Sequence, residues 1–292
     1  MNWYKITKEK VEPVSISINE LKNMICDYNK RDFYFLDNRI NFDISSLTIK
    51  KECLIGKFDH IKSIIFLERS FLISDSFDFN DFKQFNEDIY QANDTQPSSH
   101  HIIILEFIFF QVLKTFDKEF SVCFDSYLNL SDKYDINSSF IRLQTTLLNL
   151  EYRVKEFKNI PQNLLSNPED LTQITFGIVF VEDVEQIIEN YNFKLDDVYN
   201  DISKLIREMD NVQKIANIKL AKDRNKYALF NLYISFISLS FSFGSWIGSL
   251  FGMNVNNFVE DSLYSFPMIT GCSCILMTFI IFSQCYYLKN IK

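Results

Sequence analysis

The chain has 292 residues, a formal net charge of -8 and a mean hydropathy of -0.06. That length holds one soluble domain of ordinary size plus a short membrane part, and the acidic balance gives no electrostatic ground for nucleic-acid binding. Six cysteines, Cys26, Cys53, Cys123, Cys272, Cys274 and Cys285, follow no disulfide or zinc spacing and suit a reducing compartment.

The opening MNWYKITKEKVEPVSISINELKN has no apolar signal core, and Glu9, Glu12 and Glu20 are out of place in a mitochondrial presequence. Any targeting signal is therefore expected to be internal or already trimmed. Residues 31–75 predict a small sheet. Phe33–Leu36 forms a short strand candidate with a turn at Asp37-Asn38, and Lys57–Leu67 pairs with Ser70–Ser74 across a turn at Glu68-Arg69. The polar stretch from Asp75 to Gln96 predicts a loop or an irregular helix, and Pro97-Ser98-Ser99 a helix start.

From His100 to Leu130 apolar residues dominate. The apolar run inside it is too short for a bilayer and is interrupted by Glu106, so it predicts a buried helix. A second amphipathic helix over residues 138–160 is expected to close at Pro161. The next opens at Pro168 with Asn167 as its cap. Beyond it Ile188, Tyr191, Leu195, Val198, Ile202, Leu205, Met209 and Val212 repeat at three- and four-residue steps, a coiled-coil seam. No breaker separates the seam from the long apolar run beyond it. One helix from about Glu182 to Phe251 is predicted, on the order of 100 Å long, and it needs a partner, either another copy or an intramolecular hairpin.

Ala228–Phe251 is 24 residues without charge or proline, long enough for the ~30 Å hydrocarbon core of a bilayer. Within it Asn231, Ser238, Ser242 and Ser245 recur at roughly helical spacing, with Gly244 and Gly248 among them. Such residues either line a wet path or bond between helices. The run ends in Gly252-Met253-Asn254. A loop with Glu260 and Asp261 and no basic residue leads to a second uncharged run, Phe266–Leu288, with Tyr286-Tyr287 at its end and Lys289 and Lys292 beyond. The charge asymmetry places both termini on the cytosolic or matrix side. Cys272-x-Cys274 reads as small packing residues in preference to a soft-metal pair. His60, His100 and His101 have no partner at ligand spacing and read as structural. No nucleophile motif, phosphate loop or zinc motif is present in the sequence, so an enzyme is not expected.

Two C-terminal spans, a GMN tripeptide closing the first, a short acidic loop and a long stalk before them resemble the CorA-type magnesium channels, and most closely the eukaryotic branch typified by the mitochondrial inner-membrane channel. Arg31-Asp32 with Leu36-Asp37, Ile61–Ile65 (IKSII), Ile104-Leu105-Glu106, Arg224-Asn225 and Asn256–Glu260 sit where that branch has its own motifs. The resemblance implies an α+β soluble domain (1–180), a stalk helix (181–227), a pore helix (228–251), the GMN and outer loop (252–265), a second span (266–288) and a basic tail (289–292), assembled as a funnel-shaped homopentamer.

It further implies potential-driven Mg²⁺ uptake with no cofactor. Gly252, Met253 and Asn254 would hold the hydrated ion, and Glu260 and Asp261 would concentrate it. The inner mouth would carry Asp223 and Arg224, where Ala221 replaces the family's usual acidic residue. Acidic clusters around Asp75, Asp78 and Asp81, Glu182, Asp183 and Glu185, or Asp196, Asp197 and Asp201 are candidate regulatory magnesium sites, against the plainer reading of solvated faces. The alternatives are a transporter of Co²⁺, Ni²⁺ or Zn²⁺ on the same fold, and a non-conducting two-span scaffold.

Overall fold

The computed structural model describes residues 3–7, 10–16, 18–25, 45–73, 81–85, 99–131, 138–253 and 264–291. The Phe33–Leu36 strand and its turn, and most of 75–96, lie outside the described residues. The chain divides into two compact units, Met1–Gln213 and Lys214–Lys292.

The first unit is built on a six-stranded antiparallel sheet. The strands are β1 (Trp3–Thr7), β2 (Val11–Val14), β3 (Ser46–Ile49), β4 (Cys53–Phe58), β5 (Ile61–Phe66) and β6 (Arg69–Ile73), in spatial order β2-β1-β6-β5-β4-β3. The expected pairing of the IKSII strand with the next one holds as the β5–β6 hairpin, with Ile64 opposite Phe71. The stretch Lys57–Leu67 is not one strand, however. It breaks at Asp59-His60, where Asp59 takes a left-handed φ of 52° and its N–H bonds the Ser45 hydroxyl at 3.0 Å. Asp tolerates that conformation better than most residues, so the two-residue turn needs no glycine.

Alternation along the strands sends side chains to two buried faces. Ile6, Leu54, Phe58, Ile61, Ile65 and Leu72 join one core, and Trp3, Cys53, Ile55, Ile64, Phe66 and Phe71 join a second with Leu21 and Ile25 from and just beyond α1 (Ile18–Asn23). Gly56 leaves room for the Phe58 ring, which lies 2.4 Å from where a Cβ would stand. That ring meets Phe109 and Phe157 edge-on at 6.1 and 6.3 Å.

The larger core is closed by helices α2 (His100–Ser131), α3 (Ser138–Ser166), α4 (Pro168–Ile174) and the first half of α5 (Val181–Phe251). Helix α2 starts where the Pro-Ser-Ser signal put it, with the Ser99 carbonyl accepting from Ile102 and Ile103. Asn167 caps α4 through its side chain, accepting from the Glu169 N–H at 3.3 Å. Pro161 does not end α3. The ring removes one backbone bond, yet Ile160, Pro161 and Leu164 are buried, and packing of the last turn offsets the loss.

The seam of α5 has its partner inside the chain. Ile188, Tyr191, Leu195, Ile202, Leu205 and Met209 are buried in the same core, and Tyr191 stacks on Phe109 at 5.7 Å. Gln144 bonds Asp210, Glu151 accepts from Ser203, and Lys158 pairs with Asp196, tying α3 to α5 along their length.

One charged cluster pins the β4–β5 turn to the helices. Arg153 on α3 grips Asp59 through Nε (2.8 Å) and Nη2 (2.6 Å), and Glu119 on α2 through Nη1 (2.7 Å). Burial opposes ionisation of Asp59, but Arg153 and His60 outweigh it and hold the carboxyl well below its ordinary range. The bonds to Asp59 push the Arg153 guanidinium upward in turn.

Candidate ion-conduction segment

The second unit contains the last part of α5 and the helix α6 (Ser265–Ile291). Both are long and apolar enough to cross a membrane. Almost nothing in either apolar stretch is buried within the chain. Water cannot solvate side chains such as Phe230, Phe241, Trp246, Phe279 and Phe282, all more than half exposed. Lipid or other protein covers them.

The two helices meet through a defined side of α5. A Cβ at Gly244 would lie 2.4 Å from the Met277 sulfur, Ser240 one turn earlier is fully buried, and Ile247 and Phe251 face Met268, Ile269 and Cys272 across a cavity of about 390 Å³. At about 100° per residue, Ser240, Gly244, Ile247 and Phe251 occupy one arc of roughly 60°. Asn231, Ser238, Ser242 and Ser245 are all exposed. They occupy another arc of roughly 60°, centred about 160° away. The amide and hydroxyls thus lie nearly opposite the side that carries α6. Periodicity alone left pore lining and bonding between helices equally open. The position of α6 excludes it as the partner of this stripe.

Helix α5 ends where the sequence puts its stop. The Gly252 N–H bonds the carbonyls of Gly248 (3.0 Å) and Ser249 (3.2 Å), and Met253 is 58% exposed just past the last turn. Asn254, Glu260 and Asp261 lie outside the described residues. Asp223 and Arg224 are both exposed. Arg224 falls on the arc of Asn231, Ser238, Ser242 and Ser245, whereas Asp223 lies about 70° from its centre.

The three histidines and two of the acidic candidates have partners among the described residues, and Asp75 and Asp78 lie outside them. His60 pairs with Asp59 at 3.0 Å, His100 with Ser70 at 3.3 Å, and His101 bridges Ser99 (2.9 Å) and the Ile174 carbonyl (3.1 Å). Asp81 accepts from Lys114 at 2.9 Å, Asp196 from Lys158. Among the described residues no three His, Cys, Asp or Glu side chains gather as a metal group. Cys272 and Cys274 are exposed and unbridged. Sequence reasoning did not find the Arg153 cluster, because its members lie 34 and 94 residues apart with no motif between them.

An antiparallel sheet closed by helices in the first unit, and two helices long and apolar enough to cross a membrane ending the chain, are the parts of a two-span membrane protein. Residues 15–224 match the family described as magnesium transporter MRS2-like, and the chain belongs to that family. It is 26% identical to the mitochondrial inner membrane magnesium transporter LPE10 of Yarrowia lipolytica, over 90% of this chain and 62% of that protein. It is 24% identical to mrs2 of Schizosaccharomyces pombe, over 88% of this chain and 68% of that one. The chain thus spans about six tenths of the length of the first of these relatives. In fold it matches the full-length CmaX protein with a TM-score of 0.60 at 12% identity, covering 99% of this chain and 97% of that one.

Proposed function

We propose that this protein is a magnesium channel of the mitochondrial inner membrane or of a related organelle, driven by membrane potential, with both termini on the matrix side. The observation that carries the reading is the polar stripe of α5, Asn231, Ser238, Ser242 and Ser245, lying opposite α6 and leading to the helix stop at Gly252. Uncharged acceptors in a bilayer are stable where they face water or one another. A homopentamer with five such stripes around an axis meets that need and leaves each α6 outside. Magnesium transport by the named relatives agrees with it.

Mg²⁺ is small and gives up its water reluctantly. A mouth that selects it is best built from acceptors that bond the ion's own waters. Five Asn254 amides would form such a collar without a charge deep enough to trap the ion. Glu260 and Asp261 would surround the entrance with carboxylates and raise the local concentration of divalent cations.

The test is Mg²⁺ entry into proteoliposomes under an imposed inside-negative potential, wild type against Asn254→Ala. Entry that depends on the potential and collapses in the variant is the expected result. Equal entry by both would remove Asn254 from the mechanism, and no entry by either would favour a non-conducting scaffold. The same vesicles loaded with Co²⁺- or Ni²⁺-sensitive dye separate magnesium from transition-metal transport.

A further inference from the structure

Just before the first span, residues 214–228 carry five Lys or Arg and one acidic residue, whereas the rest of the chain has 25 basic against 37 acidic residues. Lys219, Lys222 and Lys226 are all exposed on α5. Their steps of three and four residues place them within one arc of roughly 60°. That arc overlaps the one through Ser240, Gly244, Ile247 and Phe251, the side on which α6 lies. It is turned well away from the Asn231–Ser245 stripe. Ile215 and Ile218, 59% and 68% exposed, lie near the same side within about one turn before Lys219.

The chain therefore separates two polar surfaces on one helix. Uncharged acceptors occupy one side within the apolar run. Three ammonium groups occupy the other side, within two to three turns of where that run begins at Ala228. A lysine at this depth extends its stem along apolar surface and its head toward the phosphate layer.

We infer that Lys219, Lys222 and Lys226 form a docking surface for the headgroups of anionic phospholipids at the end of the first span. The chemistry fits a phosphodiester better than an acidic peptide. The three charges follow a helix that leads into the apolar run, Lys226 within about 3 Å of it and Lys222 and Lys219 roughly 9 and 13 Å away, and a negative leaflet attracts basic juxtamembrane side chains over about that distance. The inference rests on the two spans and not on conduction.

The test uses the full chain in vesicles of equimolar phosphatidylglycerol and phosphatidylcholine. The protein is purified in mild detergent, and the ratio of the two lipids retained is measured by mass spectrometry. The wild type is expected to keep phosphatidylglycerol in several-fold excess. The triple variant Lys219→Gln, Lys222→Gln, Lys226→Gln is expected to lower that ratio by roughly fivefold or more. A variant of matched charge change on the first unit, Lys51→Gln, Lys118→Gln, Lys155→Gln, is expected to leave it unchanged. An unchanged ratio in the triple variant, or an equal fall in the control, would overturn the proposal. Displacement of the lipid by millimolar inorganic phosphate would reassign the lysines to a small-anion site and equally overturn it. Flotation with the vesicles reports insertion of every variant. A variant that floats and loses lipid preference while Asn254→Ala retains it separates this surface from the conduction reading.

Discussion

The sulfur of Met277 stands 2.4 Å from where a side chain at Gly244 would begin, so glycine is what allows α6 to close on α5 at this point. Small residues let transmembrane helices approach, and here the approach sets which side of α5 is left for the polar stripe. The obstructing atoms belong to the far end of a flexible side chain. Gly244→Ala is accordingly expected to keep most Mg²⁺ flux. Gly244→Leu is expected to abolish it by rotating or parting the helices, and Met277→Ala to restore part of it. Flux in proteoliposomes checks all three, and failure of the second substitution to rescue would deny the contact its role.

The opposed faces of α5 predict a pattern of thiol access. In a background without Cys272, Cys274 and Cys285, cysteine at Ser238, Ser242 or Ser245 should react with a water-soluble thiol reagent and lose flux on reaction. Cysteine at Ser240, which is fully buried, should do neither. No labelling at the three stripe positions would mean that the stripe does not face water, and equal labelling of all four would mean that the two sides of the helix do not differ in access.

The acidic loop should act through concentration. Glu260→Lys with Asp261→Lys is expected to reduce flux strongly at low external Mg²⁺ and weakly at high, because a raised local concentration matters only below saturation. Unchanged flux across the titration would remove the loop from the mechanism.

Arg153 is the hinge pin between sheet and helices. Arg153→Ala would leave the Asp59 carboxylate, only 10% exposed, with His60 alone. A loss of roughly 2 kcal/mol or more is expected, below the full value for a buried pair because Arg153 is partly solvated. Arg153→Lys should recover less than half of it, since an ammonium lacks the fork that serves two carboxylates. Thermal unfolding in detergent measures both.

His101 makes stability depend on pH. Burial lowers its pKa from 6.5 to about 4, against the bond to the Ile174 carbonyl. Between those values the unfolded chain binds a proton that the folded chain does not, so folding stability falls as pH drops below 6.5 and levels off below about 4. Unfolding temperatures taken across that range should show the slope, and His101→Gln should flatten it.

The elements of this chain were legible wherever the signal is local. The Ser99 start of α2, the Asn167 cap, the unbroken run into the first span and the glycine that ends it each lie within a few residues of what they control. The turn at Asp59-His60 escaped because an aspartate, not a glycine, adopts positive φ there, supported by Ser45 from fourteen residues away. The continuation of α3 through Pro161 escaped for the opposite reason: a strong local breaker is outweighed by burial of the turn around it.

The sequence alone determined that two apolar helices follow a stalk, that the first carries a periodic set of acceptors, and that it stops at Gly252, because length, spacing and a missing side chain act along the chain itself. Only the tertiary structure decided that the stalk's seam is satisfied by α2 and α3, and that α6 lies on the side of α5 away from those acceptors. Period gives the angle between two sets of residues on a helix, but which set meets a neighbour depends on contacts such as Met277 on Gly244, made between segments the spacing does not connect.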